Sequence, residues 1–193
     1  MIMDITYKKE EKQILEKIVA ASEEFLQSSG IELNYQQITD NILDISGARY
    51  AVFTLFDAGK NKFRTVAVSA PDGALKKVSS LLGFKLSGKE WDHDPVLAEK
   101  IRSSTINHFS GLNELSGGVI PKQVISLIEK TFNIGEVVLV KILKDNVLVG
   151  DFRLIMSKNT SFKNDDYVKL YTRQVGLFIT RSISESRLAE SEE

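Results

Sequence analysis

Cysteine is absent from the 193-residue chain. That absence excludes disulfides, zinc–thiolate sites, iron–sulfur clusters, cysteine-ligated haem and thioether-linked chromophores. Proline occurs three times, tryptophan once and histidine twice. Met1 to Lys9 lacks the apolar core of a signal peptide, and no apolar run approaches the about 18 residues of a membrane-crossing helix. The expected location is therefore the cytoplasm, with no membrane contact for this segment. Charge of one sign is missing too: 25 basic residues face 26 acidic ones, for a net charge of −1. A general nucleic-acid binder needs a basic excess on one face, so nucleic acid is not an expected partner. What the chain does have is 42% hydrophobic and 26% charged residues, the balance of a globular protein with a real core. Its length suits one domain with helical extensions.

Residues 8–29 read as an amphipathic helix, with Ile14, Ile18 and Phe25 on one row and Leu15, Val19, Ser22 and Leu26 on the next, and Gly30 as its stop. A second helix spans about 35–45, with Asn34 as cap and Gly47 after it. The period then changes. Ala48 to Phe56 is a nearly continuous apolar run, as in a strand covered on both faces. Turn residues 57–61 join it to a second strand at 62–70, making a hairpin. Pro71-Asp72-Gly73 opens a helix to about Leu82; Phe84 to Leu86 reads as a short strand, Pro95 to Arg102 as a short helix, Thr105 to Phe109 as a strand and Pro121 to Phe132 as a helix. Glu136 to Leu143 and Val147 to Met156 form a tight hairpin around Lys144-Asp145-Asn146. A last helix runs from about Asp165 toward the end, apolar in its first half and thinning beyond Ile183. The expected class is α+β: an antiparallel sheet of five to six strands, terminal helices on one face and a variable helix and loop segment on the other.

Three stretches carry a resemblance. Gly47 to Asp57 resembles the first strand and acidic turn of the GAF family of sensory domains, Val147 to Leu154 its late strand with an internal glycine, and Ser161 to Asp166 the entry to its last helix. Together they cover about Asn34 to Ile183. The tail Ser186 to Glu193 resembles the helix that leads into a PAS domain in sensor histidine kinases, and Leu115 to Lys122 is similar to the middle segment of GAF domains in archaeal and bacterial sensor kinases. The resemblance implies an N-terminal helix at 1–30, a GAF-like sensor domain at 31–183 and the start of a linker helix at 184–193. It implies a sensory module of a two-component signalling protein that takes an unidentified small ligand, relays its state through the terminal helices, or does both. The alternative is a ligand-free dimerisation module, since the fold is shared whether or not anything binds.

No catalytic signature is present: no G-x-S-x-G elbow, no kinase motif, no P-loop and no dinucleotide G-x-G-x-x-G. The domain is expected not to be an enzyme, although its parent is expected to be a histidine kinase. A methionine-sulfoxide-reductase activity of the same fold would need cysteines. The cyclic-nucleotide motif of the family cannot be placed, and no haem, bilin or metal is expected. His93 and His108 do not complete a metal site. They join Phe84, Trp91 and Phe109 as candidate pocket residues in the variable segment. Asp151 and Arg153 lie two apart on one strand and so share a face, where a cover would oblige both charges to find partners. Arg64 on the first hairpin is a further candidate of that kind. For assembly, the sequence suggests a homodimer through the terminal helices, with Ile14, Ile18, Phe25, Ile179 and Ile183 at the seam.

Overall fold

The computed structural model describes residues 2–27 and 33–191, with side chains from Ile5 onward. Gly30, read as the stop of the first helix, lies outside the described residues. Two helices come first, α1 (Ile2–Gln27) and α2 (Tyr35–Ser46). The α2 ends are set locally: the Asn34 side chain accepts from the Gln37 amide, and Gly47 closes the helix at φ 69°. Strands β1 (Tyr50–Asp57) and β2 (Lys62–Ser69) follow as the expected hairpin. Then come α3 (Ala74–Leu82), β3 (Glu90–Asp92), α4 (Pro95–Lys100), β4 (Ile106–Phe109), a 3₁₀ turn at Asn113–Leu115 and α5 (Lys122–Thr131). The chain closes with β5 (Ile134–Lys144), β6 (Val147–Ser157) and α6 (Asp165–Ser191). Asp145 and Asn146 both take positive φ between β5 and β6, the two-residue turn whose twist matches paired strands.

The six strands form one antiparallel sheet in the order β3-β2-β1-β6-β5-β4. The strand expected at Phe84 to Leu86 is not formed; the segment that pairs with β2 is Glu90–Asp92. An edge strand needs only its neighbour's backbone, so a Glu-Trp-Asp sequence with one apolar residue pairs without an apolar pattern.

Both sheet faces are covered. On one, α1, α2 and α6 bury Ile18, Phe25, Ile38, Ile42, Tyr171 and Ile179 against Phe53, Val138, Val140 and Phe152. Each such large side chain contributes roughly 1.5–3 kcal/mol by leaving water. α1 and α6 run parallel: Tyr167 donates to Glu11 at one end, and Phe25 stacks on Phe178 at 4.4 Å at the other. Gly176 permits this docking, because a Cβ there would sit 2.7 Å from the Leu143 carbonyl oxygen on β5. On the opposite face, Phe109, Leu115, Ile128, Val137, Leu139 and Ile155 make a smaller core under α3, α4 and α5.

The seam expected between two copies is mostly used within one. Ile18, Phe25 and Ile179 are buried in their own core, and Ile14 packs against it. Long helices on a sheet bury their inward row first, leaving the next row outside. The outer positions are Leu15, Val19 and Leu26 on α1, and Leu170, Leu177 and Ile183 on α6. No helix among the described residues is long and apolar enough to cross a membrane.

Candidate functional site

Under α3 and α5 the second face does not close. A cavity of about 150 Å³ lies between the sheet and its cover. Its floor is the inward row of β1 (Tyr50, Val52, Thr54), joined by Thr65 and Val68 of β2 and by Arg153 and Ile155 of β6. Its roof is the apolar side of α3 (Ala74, Leu75, Val78, Leu82), and its far wall is Leu115, Ile125 and Ile128. Although α3 is amphipathic, none of its residues is buried. Its apolar side looks onto the cavity instead of meeting the sheet.

Polar residues stand in a row across five strands on this face of the sheet. Trp91 on β3 donates its indole N–H to Thr65 Oγ1 at 3.0 Å. Thr65 stands opposite Thr54 on β1, and Thr54 Oγ1 donates to Asp151 Oδ1 on β6 at 2.9 Å. Lys141 on β5 stands opposite Asp151, and its ammonium donates to the carbonyls of Ile101 (2.8 Å) and Arg102 (3.2 Å) beyond α4. Burial holds the Lys141 ammonium below its ordinary pKa. Arg153 Nε lies 3.4 Å from Asp151 Oδ1 as an ion pair. It is buried and makes no hydrogen bond among the described residues.

Of the residues marked by the sequence, Trp91 and Arg153 line the cavity. The others do not. Asp151 is 4% exposed and sits behind Arg153 as its counter-charge. Phe84 packs edge-on against Trp91 at 5.9 Å without lining the cavity, with the Lys89 ammonium 4.9 Å from its ring. His93 lies past the end of β3, stacked on Phe63 near the β1–β2 turn, its amide donating to Asn61. His108 shares a strand face with Ile106, which belongs to the helix-side core, so it points away from the cavity and pairs with Glu136 at 2.5 Å. Phe109 faces the cavity side but is closed into the smaller core. Arg64 is turned outward by a β-bulge: Phe53 pairs with Ala67 but Thr54 with Thr65, so one residue is taken up. Arg64 then falls opposite Leu55, on the helix side. Among the described residues, no three His, Asp or Glu side chains gather as a metal-ligand set.

The α3 roof and the Thr54–Thr65 pair were missed by reading motifs. Tyr50, Val52 and Thr54 are spaced two apart and so had to share a face, a usable signal. The sequence shows that α3 is amphipathic, but not whether its apolar side meets side chains or a void.

No protein-family model and no curated protein sequence matches the chain. Solved structures do. The chromophore-binding domain of an unusual bacteriophytochrome from R. palustris superposes with a TM-score of 0.64 at 10% identity, over 91% of this chain and 62% of that one. The GAF-B domain of DevS from Mycobacterium smegmatis gives 0.52 at 10% identity, over 80% of this chain and 96% of that one. The chromophore-binding domain of Stigmatella aurantiaca phytochrome P1 gives 0.55 at 11%, over 88% and 59%. The chain thus spans about three-fifths of the two phytochrome fragments. The fold is GAF-like.

Proposed function

We propose that the chain is a sensory module in which a small molecule enters the cavity beneath α3 and biases how α3 and α6 pack on the shared sheet. One observation carries this reading: an apolar cavity of about 150 Å³ is roofed by a helix with no buried residue. An unfilled apolar space of this size costs packing contacts on every wall, and a ligand that restores them stabilises the closed arrangement. The route to the output is short. Phe152 and Leu154 alternate with Asp151, Arg153 and Ile155 on β6, so one strand presents both the α1–α6 core and the cavity floor. A covalently attached chromophore does not suit this chain, which has no cysteine.

The reading extends to a homodimer through the outer row of α1 and α6, where Leu26 and Leu177 flank one groove. It also extends to a downstream PAS and histidine-kinase output reached through α6. The domain itself acts by binding and carries out no catalysis, in the cytoplasm.

Toluene, an apolar probe of the right size, tests the core of this. Saturable stabilisation with slowed amide exchange in both α3 and α6 is the expected result. Binding that leaves α6 exchange unchanged contradicts the relay, and no binding contradicts the ligand site.

A further inference from the structure

We infer that the cavity's ligand is a small monocarboxylate: one planar anionic head against Arg153 and a compact apolar body of about six to eight carbons. The inference rests on the cavity's role as a ligand site and names the chemistry that fills it.

Arg153 is the one charged residue among the described residues that line the cavity. A guanidinium offers five N–H donors in a fork that fits a carboxylate, and the buried Nε of Arg153 has no hydrogen-bond partner among the described residues. Asp151 neutralises it only in part. The carboxylate meets the guanidinium at its Nε edge, 3.4 Å away and without hydrogen-bond geometry, and it also accepts from Thr54. Arg153 Nε is thus a buried cationic donor at the cavity whose own counter-ion leaves it without a hydrogen bond, and a ligand carboxylate supplies the missing acceptor.

The other polar groups argue against a polar ligand body. The Trp91 N–H is bound to Thr65, the Thr54 hydroxyl to Asp151, the Tyr50 hydroxyl to the Phe132 carbonyl, and the Ser116 hydroxyl to the Asn113 carbonyl. A sugar or nucleobase would bury its own donors and acceptors here with few partners, at a cost of about 1–3 kcal/mol for each. Volume limits the body as well: an engineered cavity near 150 Å³ holds benzene, and this one has about that volume.

The test uses three matched pairs on the full chain: benzoate with benzamide, phenylacetate with its amide, and 4-methylpentanoate with its amide. Trp91, the single tryptophan, reports binding by fluorescence, and toluene serves as a charge-free control. The expected result is that at least one acid binds, and that each bound acid is held about tenfold more tightly than its amide, as a charge-assisted bidentate contact would give. In the double variant Arg153→Gln with Asp151→Asn, which removes both charges together, that preference disappears while toluene binding remains. Acids bound no better than amides, or a preference that survives the double variant, would overturn the carboxylate inference and leave the ligand site standing. Failure of all six compounds and of toluene would overturn both.

Discussion

Thr54 Oγ1 donates to Asp151 Oδ1 across 2.9 Å, a buried bond between residues 97 apart in sequence. It holds the carboxylate that Arg153 leans on. Thr54→Val keeps the shape but leaves Asp151 short of a donor, and should cost about 1–2 kcal/mol in urea unfolding. Asp151→Ala should cost more, about 3 kcal/mol, because it strands a largely buried guanidinium. Equal losses for the two variants would mean that the ion pair contributes nothing beyond the hydrogen bond.

Two glycines mark close approaches of backbone. A Cβ on Gly150 would lie 2.1 Å from the Thr54 carbonyl oxygen, and one on Gly176 would lie 2.7 Å from that of Leu143. Gly176→Ala recovers about 1 kcal/mol of helix propensity, whereas Gly150→Ala in a strand has no such return. Calorimetry should therefore show a loss of about 3 kcal/mol for Gly150→Ala and a smaller one for Gly176→Ala. The reverse order would contradict the packing described for β1 and β6.

Tyr171 is fully buried, its hydroxyl donating to the Ile38 carbonyl at 3.1 Å. Burial raises its pKa well above the ordinary 10.0. The folded state thus keeps the phenolic proton where the unfolded chain gives it up. The stability this provides is complete below pH 10.0 and is lost as pH rises through the folded value. At pH 8, Tyr171→Phe should be about 1 kcal/mol less stable than the parent, having lost one hydrogen bond. Above pH 10 the gap should close and then reverse. A gap independent of pH would show that the phenol does not titrate with unfolding.

Much of the frame was legible in local chemistry. Asn34 and Gly47 bound α2 as read, and Asp145-Asn146 makes the expected tight turn because both residues tolerate left-handed backbone. What was hidden depends on partners distant in sequence. Glu90–Asp92 is a strand only because β2 is beside it. Arg64 faces away from the cavity only because a bulge shifts the register, and nothing in Lys62 to Ser69 announces a bulge. The outward pairing of His108 follows from Ile106 occupying the core on the same strand face. Trp91 and Arg153 were found as residue types, but the cavity that unites them is a void, which no residue pattern encodes.

Assembly through the outer helix row has its own check. Leu26 and Leu177 are 72% and 47% exposed beside one groove, so Leu26→Glu with Leu177→Glu should leave the melting temperature within a few degrees. Sedimentation at rising concentration should show the parent dimerising and the variant remaining a monomer. A parent that stays monomeric throughout removes the dimer.

Trp91 gives the most direct view of the central claim, because its indole N–H is unique in the chain and stands at the cavity wall. The measurement is the shift of that N–H resonance as benzoate or toluene is titrated into the parent and into Val78→Phe, whose larger ring fills the space beneath α3. The expected result is a saturable shift in the parent and none in a folded Val78→Phe. A parent resonance that does not move at saturating probe, or a variant that responds equally, contradicts a ligand site between α3 and the sheet.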